Sequence, residues 1–173
     1  MSWFNRRTLI ALPLALVMGA CGFTPVHAPG GAGQVLYGNV RVQAPEEIPS
    51  NSDVAAFFLV DALEQDLGRG EGGIYALDLS VKQTVEGQAI TADNDITRFS
   101  VQGTANYTLR RLSDGVVVTS GAVDNFTGYS ATGSTVDTLA GERDAEERLM
   151  RILADQIVTR LFTTADLGPV GSE

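Results

Sequence analysis

From Arg98 to Arg110 the chain alternates without interruption. Phe99, Val101, Ala105, Tyr107 and Leu109 fall on one phase with Gly103 in step, while Arg98, Ser100, Gln102, Thr104, Asn106, Thr108 and Arg110 fall on the other. Successive side chains of a strand point to opposite faces, so this run predicts a β-strand with one buried and one wet face and excludes an amphipathic helix. Ser113-Asp114-Gly115 follows it, and an Asp-Gly pair between alternating runs predicts a hairpin turn into a further strand over Val116 to Asn125. Upstream, Tyr75, Leu77, Leu79 and Val81 alternate with Asp78, Ser80 and Lys82, which predicts another strand from Ile74.

Two segments carry the helical period instead. Ser50-Asn51-Ser52-Asp53 offers caps to a helix over about Asp53 to Leu67, with Ala56, Leu59, Val60, Leu63 and Leu67 as its core stripe. Gly68-Arg69-Gly70-Glu71-Gly72-Gly73 stops it; the run follows a helix and precedes a strand, the reverse of a dinucleotide loop. After a Gly-, Ser- and Thr-rich loop from Thr127 to Thr135, a second helix is predicted over about Leu139 to Phe162. Leu149, Leu153, Ile157 and Leu161 make its ridge, and Glu147, Arg151 and Asp155 are spaced for charge pairs on the other side. A first strand is expected at Val35 to Val42. The order β-α-β-β-β-α, with one-sided strands and helices, implies an α+β fold: a four-stranded, largely antiparallel sheet carrying both helices on one face.

The N-terminus reads as an export signal: Arg6 and Arg7, an apolar run from Thr8 to Met18, then Gly19 and Ala20. The apolar run is about half of the roughly 20 residues a permanent span needs. Val17-Met18-Gly19-Ala20-Cys21 resembles a bacterial lipobox, so the expectation is a signal peptide over 1–20 and lipidation at Cys21. Residues 21–34 hold Pro25, Pro29 and a glycine-rich run, and read as a flexible tether. One domain over 35–165 and a flexible tail over 166–173 complete the division. Losing Arg6 and Arg7 leaves 10 of the 12 basic residues against 21 acidic ones, a formal charge of −11. Such a surface repels nucleic acid.

Catalytic constellations are poorly supported. The only histidine, His27, lies in the expected tether, and the only cysteine is Cys21, so neither a disulfide nor a thiolate metal site can be assembled within the chain. Asp93-Asn94-Asp95 resembles the start of a calcium loop but lacks the Gly and bidentate Glu that must follow, and a hairpin turn fits better. The expectation is a protein that is not an enzyme and carries no metal or cofactor.

Cys21-Gly22-Phe23-Thr24-Pro25-Val26 at the cleavage site, the β-α-β-β-β-α order, and the helix segment from Arg143 to Ile157 together resemble the LPS-assembly lipoprotein family, LptE. That resemblance implies an outer-membrane lipoprotein facing the periplasm. It would act in lipopolysaccharide transport and cell-envelope biogenesis as plug and assembly partner of the β-barrel LptD, with lipopolysaccharide as a ligand. The alternative is an auxiliary lipoprotein of another envelope lipid-transport or cell-wall synthesis complex. If lipopolysaccharide binds, its phosphates need local cations on an acidic protein. Lys82, Arg98, Arg110 and Arg111 are the candidates, because the first three share the polar strand phase and Arg111 adjoins the hairpin turn. The alternative for them is a solvated face with charge pairs to Asp78 or Asp114. Phe57 and Phe58 fall off the core stripe toward Asp61 and Gln65, and are candidates either for a partner contact or for burial beneath the tether or a loop.

Overall fold

The alternating run becomes an inner strand of a four-stranded sheet. The computed structural model describes residues 26–45, 53–90 and 96–167. In chain order these form α1 (Ala32–Leu36), β1 (Val40–Val42), α2 (Asp53–Leu67), β2 (Tyr75–Ile90), β3 (Ile96–Arg111), β4 (Val117–Ser130) and α3 (Thr135–Thr164). The sheet order is β1-β2-β3-β4, with β1 parallel to β2 and the other two pairings antiparallel. The expected α+β architecture is therefore the observed one, with a single parallel pair at the β1 edge. The expected signal peptide, Cys21, the Ser50-Asn51-Ser52 cap, the Asp93-Asn94-Asp95 turn and most of the C-terminal tail lie outside the described residues.

One phase of the strands builds the core. Leu77 opposes Leu109, Leu79 opposes Tyr107 and Val81 opposes Ala105 across β2 and β3, and Ala105 opposes Val123 on β4. Over this face lie Leu59, Leu63 and Leu67 of α2 and Leu149, Leu153, Ile157 and Leu161 of α3, all fully buried. Gly103 lies under α3: a Cβ there would stand 3.0 Å from Leu149 Cδ2 and 3.2 Å from Leu153 Cδ1. The one missing side chain in the alternation is thus where two leucines descend onto the sheet.

Three boundaries differ from expectation. The strand expected at Val35 begins only at Val40, because Ala32–Leu36 closes a helical turn instead. Asn39 Nδ2 donates to the Val35 carbonyl at 2.9 Å, and Leu36 is driven wholly into the core. β4 runs on to Ser130 through the expected loop, since Thr127 Oγ1 donates to the Ala145 carbonyl at 2.8 Å and Tyr129 stacks on Phe99 at 5.3 Å. α3 starts at Thr135, four residues before the apolar ridge suggested, on a capping box: Asp137 N–H donates to Ser134 Oγ at 3.3 Å, and Ser134 N–H donates back to Asp137 Oδ2 at 3.1 Å. The glycine run after α2 does more than stop a helix. A Cβ on Gly70 would lie 2.3 Å from the Val40 carbonyl oxygen, so only glycine lets this loop pass against β1.

Candidate functional site

The two long helices, α2 and α3, pack on one face, and among the described residues nothing covers the other face of β2, β3 and β4. It carries Asp78, Ser80, Lys82, Thr84 and Glu86 on β2; Arg98, Ser100, Gln102, Thr104, Asn106, Thr108 and Arg110 on β3; and Ser120, Ala122, Asp124, Phe126, Gly128 and Ser130 on β4. These side chains bind one another across strands. Asn106 Nδ2 donates to Ser80 Oγ at 3.0 Å, Gln102 Nε2 to Glu86 at 3.1 Å, and Arg110 pairs with Asp78 at 2.6 Å. Such pairs on exposed strands contribute a few tenths to about 1 kcal/mol each and order the face rather than fold it. Phe126 breaks the polar character: it is 69% exposed, opposite Gln102, beside a shallow recess of about 560 Å³ that Ser100, Gln102, Thr104 and Asp124 also line.

The four expected cations do not gather. Lys82, Arg98 and Arg110 do share the open face, but Arg98 and Arg110 stand at opposite ends of β3, and Lys82 lies opposite Thr104 midway between them. Twelve strand residues span about 40 Å, too far for one phosphate group. Arg111 points to the covered side of the sheet, where Tyr75 is its register partner, and pairs with Asp114 at 3.0 Å. Asp114 holds the Arg111 guanidinium more firmly charged than usual. The Asp114 carboxyl is held below its usual range first by the Val116 N–H and then by Arg111. The pairings to Asp78 and Asp114 that the sequence offered as an alternative are both made.

Sequence reading missed Arg41. It lies on β1 opposite Ala76, and Ala76 in turn lies opposite Arg110, so two arginines flank one buried alanine at one end of the open face. Arg41 Nη2 donates to the Glu71 carbonyl at 3.1 Å. The visible signal was Val40-Arg41-Val42, whose alternation places the arginine on the wet phase as soon as β1 is aligned with β2.

The two phenylalanines separate. Phe58 packs against the core as a half-buried residue, while Phe57 is 66% exposed; their rings meet edge to face at 5.9 Å. Phe58→Ala is expected to cost roughly 2–3 kcal/mol, below the 3–5 of a fully buried aromatic, and Phe57→Ala less than about 0.5 kcal/mol. Urea melts of the two variants check this, and equal losses would place Phe57 under cover as well.

Among the described residues no group of three or more His, Cys, Asp or Glu side chains is placed to hold a metal ion, and no helix is long and apolar enough to cross a membrane. His27 meets the edge of Phe162 at 5.9 Å, which sets the start of the described chain beside the last turns of α3.

A family model described as lipopolysaccharide-assembly, LptE, matches residues 39–161. Among solved structures, a Caulobacter crescentus protein described as a lipoprotein is 23% identical, with a TM-score of 0.60 over 76% of this chain and 93% of its own. Rare lipoprotein B from Shewanella oneidensis is 11% identical, with a TM-score of 0.47 over 70% of this chain and 92% of its own. At 23% identity, the likeness to the Caulobacter crescentus protein is one of fold. No curated protein matches the chain.

Proposed function

The chain belongs to the LptE lipopolysaccharide-assembly family, and from that premise we propose that it is a non-enzymatic lipoprotein of the outer membrane that serves as plug and assembly partner of the β-barrel LptD. The family match carries this reading, because it spans the body of the fold from the start of β1 to the last turns of α3. The anchor is the lipid on Cys21, and residues 21–34 connect it to the domain. Lipopolysaccharide is the proposed ligand. Its phosphates would meet the arginine pair at the Arg110 end of the open face or the single cations Lys82 and Arg98, since these sites are too far apart to act on one group.

A long, stiff sheet with one polar face suits a plug: cross-strand hydrogen bonds fix its surface, and a wet barrel lumen is lined by polar side chains. Crosslinking followed by pull-down from fractionated envelopes tests the reading. The expected result is LptD recovered with this chain in the outer-membrane fraction. Recovery of an inner-membrane transporter or a cell-wall synthase in its place would overturn it.

A further inference from the structure

The outer edge of β4 is protected over part of its length and open over the rest. Ala131 N–H donates to the Thr97 carbonyl at 2.9 Å, so Thr97 and Ala131 form a hydrogen-bonded pair, and the register repeats this at every second residue back to Leu109 and Thr119. Odd-numbered residues of β4 therefore bond to β3, and the N–H and C=O groups of Ser120, Ala122, Asp124, Phe126 and Gly128 point outward. Two of these positions are occupied from within the chain. Asn125 Oδ1 accepts from Phe126 N–H at 2.8 Å, and Arg148 Nη2 donates to the Gly128 carbonyl at 3.2 Å. Among the described residues no further strand pairs at Ser120, Ala122 and Asp124, no proline or lysine stands there, and the irregularity of β4 lies before them, between Val117 and Thr119.

Beside this open stretch runs a groove of about 450 Å³ between β4 and α3. Ala122, Val123 and Asp124 form its strand wall, with the Asp124 side chain in the phase of the open face, and Ile152, Asp155, Gln156 and Arg160 are on its helix wall. An edge strand with a helix alongside is the geometry in which other proteins add an extended peptide to a sheet: backbone bonds hold it, and alternate side chains enter the groove. The opposite edge differs, because β1 covers β2 only to Leu77 and the chain that follows β1 passes into residues outside the described set.

We propose that Ser120–Asp124 of β4 and the groove against α3 bind an extended segment of a partner protein as a fifth strand. The charges of the groove state what that segment carries. Asp155 and Arg160 make no ion pair among the described residues, and Arg151 pairs with Glu147 instead. Five residue steps carry Arg160 about 7.5 Å along α3 from Asp155, close to the roughly 6.8 Å between residues i and i+2 of a strand. The matching segment has a basic and an acidic residue two apart on its helix-facing side and small or β-branched residues between and around them. This deepens the reading above and rests on it for the source of the segment: the wall strands of a closed barrel are already paired on both edges, so the segment is an extended stretch of the barrel polypeptide outside its wall.

The test uses the full-length lipidated chain in cells, with Ala122→Pro and Arg160→Glu. The Ala122 N–H points away from β3, so proline there removes the outward donor without removing a hydrogen bond of the fold. Recovery of the barrel is expected to fall at least tenfold with each variant while the melting temperature stays within a few degrees. Unchanged recovery with both overturns the proposal and leaves the barrel-partner reading standing. If Ala122→Pro fails to fold, the charge reversal on the surface of α3 decides alone. If the unaltered chain recovers no barrel, the barrel-partner reading fails. A photo-crosslinker at Ala122 then decides this one: a crosslinked segment with the alternating, oppositely charged pattern supports it, and a helical segment or no crosslink overturns it.

Discussion

Replacing Leu153 by alanine is expected to destabilise the domain by about 2–5 kcal/mol. Leu153 is fully buried on α3 and descends onto Gly103, with no side chain between it and the sheet backbone. A leucine over a glycine leaves its cavity against backbone. The β3 backbone at that point is bonded on both sides, to β2 and to β4, and cannot close the gap. The substitution therefore belongs near the upper end of the range, where the surroundings do not collapse. A domain of this size has about 5–15 kcal/mol in total, so a large share would be lost. Urea unfolding should show the midpoint falling by one molar or more with an unchanged slope. A loss under 1 kcal/mol would mean that α3 rides loosely on the sheet, and the rigid groove beside β4 would lose its basis. The half-buried Ile152 on the same turn provides the comparison: alanine there should cost clearly less, because its side chain borders the groove rather than filling the core.

The parts of this fold that were legible in the sequence are those decided by a local period. The run of α2 to Leu67 follows from a four-step apolar stripe and a glycine stop; the β3–β4 hairpin follows from alternation around Asp114-Gly115. What was illegible depends on contacts between segments distant in the chain. β4 extends to Ser130 because Thr127, Gly128 and Tyr129 are held by Ala145, Arg148 and Phe99, none of which is visible in a local window of polar residues. The cations show the limit most clearly. Alternation correctly put Lys82, Arg98 and Arg110 on one face, and the twelve residue steps between Arg98 and Arg110 on one strand already implied about 40 Å between them, so only the position of Lys82 needed the β2–β3 register. Alternation alone concealed Arg41, whose neighbour Arg110 is reached only through the parallel register of β1 on β2. The open edge at Ala122 is a property of sheet order, which no single strand encodes.

Cys21→Ala is expected to release the protein from the membrane or leave it held only by an uncleaved leader. The thiol at this position is the proposed acceptor of the diacylglyceryl group, and alanine has no nucleophile to replace it. Each buried methylene of an acyl chain contributes about 0.8 kcal/mol, so a pair of palmitate-length chains and a third on the new N-terminus far exceed what an acidic surface domain could recover from contact with headgroups. The acidic balance of the chain, 12 basic against 21 acidic residues, works against such recovery at an anionic leaflet. Labelling with a radioactive fatty acid should vanish in the variant, and the mature band should be replaced by a slower precursor. Persistent labelling would move the lipidation site elsewhere. Gly22 follows the cysteine where an aspartate would favour retention in the inner membrane under the sorting rule of many bacteria, so Gly22→Asp offers a second arm with the lipid intact. Density-gradient fractionation should then show the labelled protein shifted to the inner membrane. Because anchoring and domain folding are separate, both variants should yield domains that melt as the parent does, and the recovery of LptD should fall with mislocalisation alone.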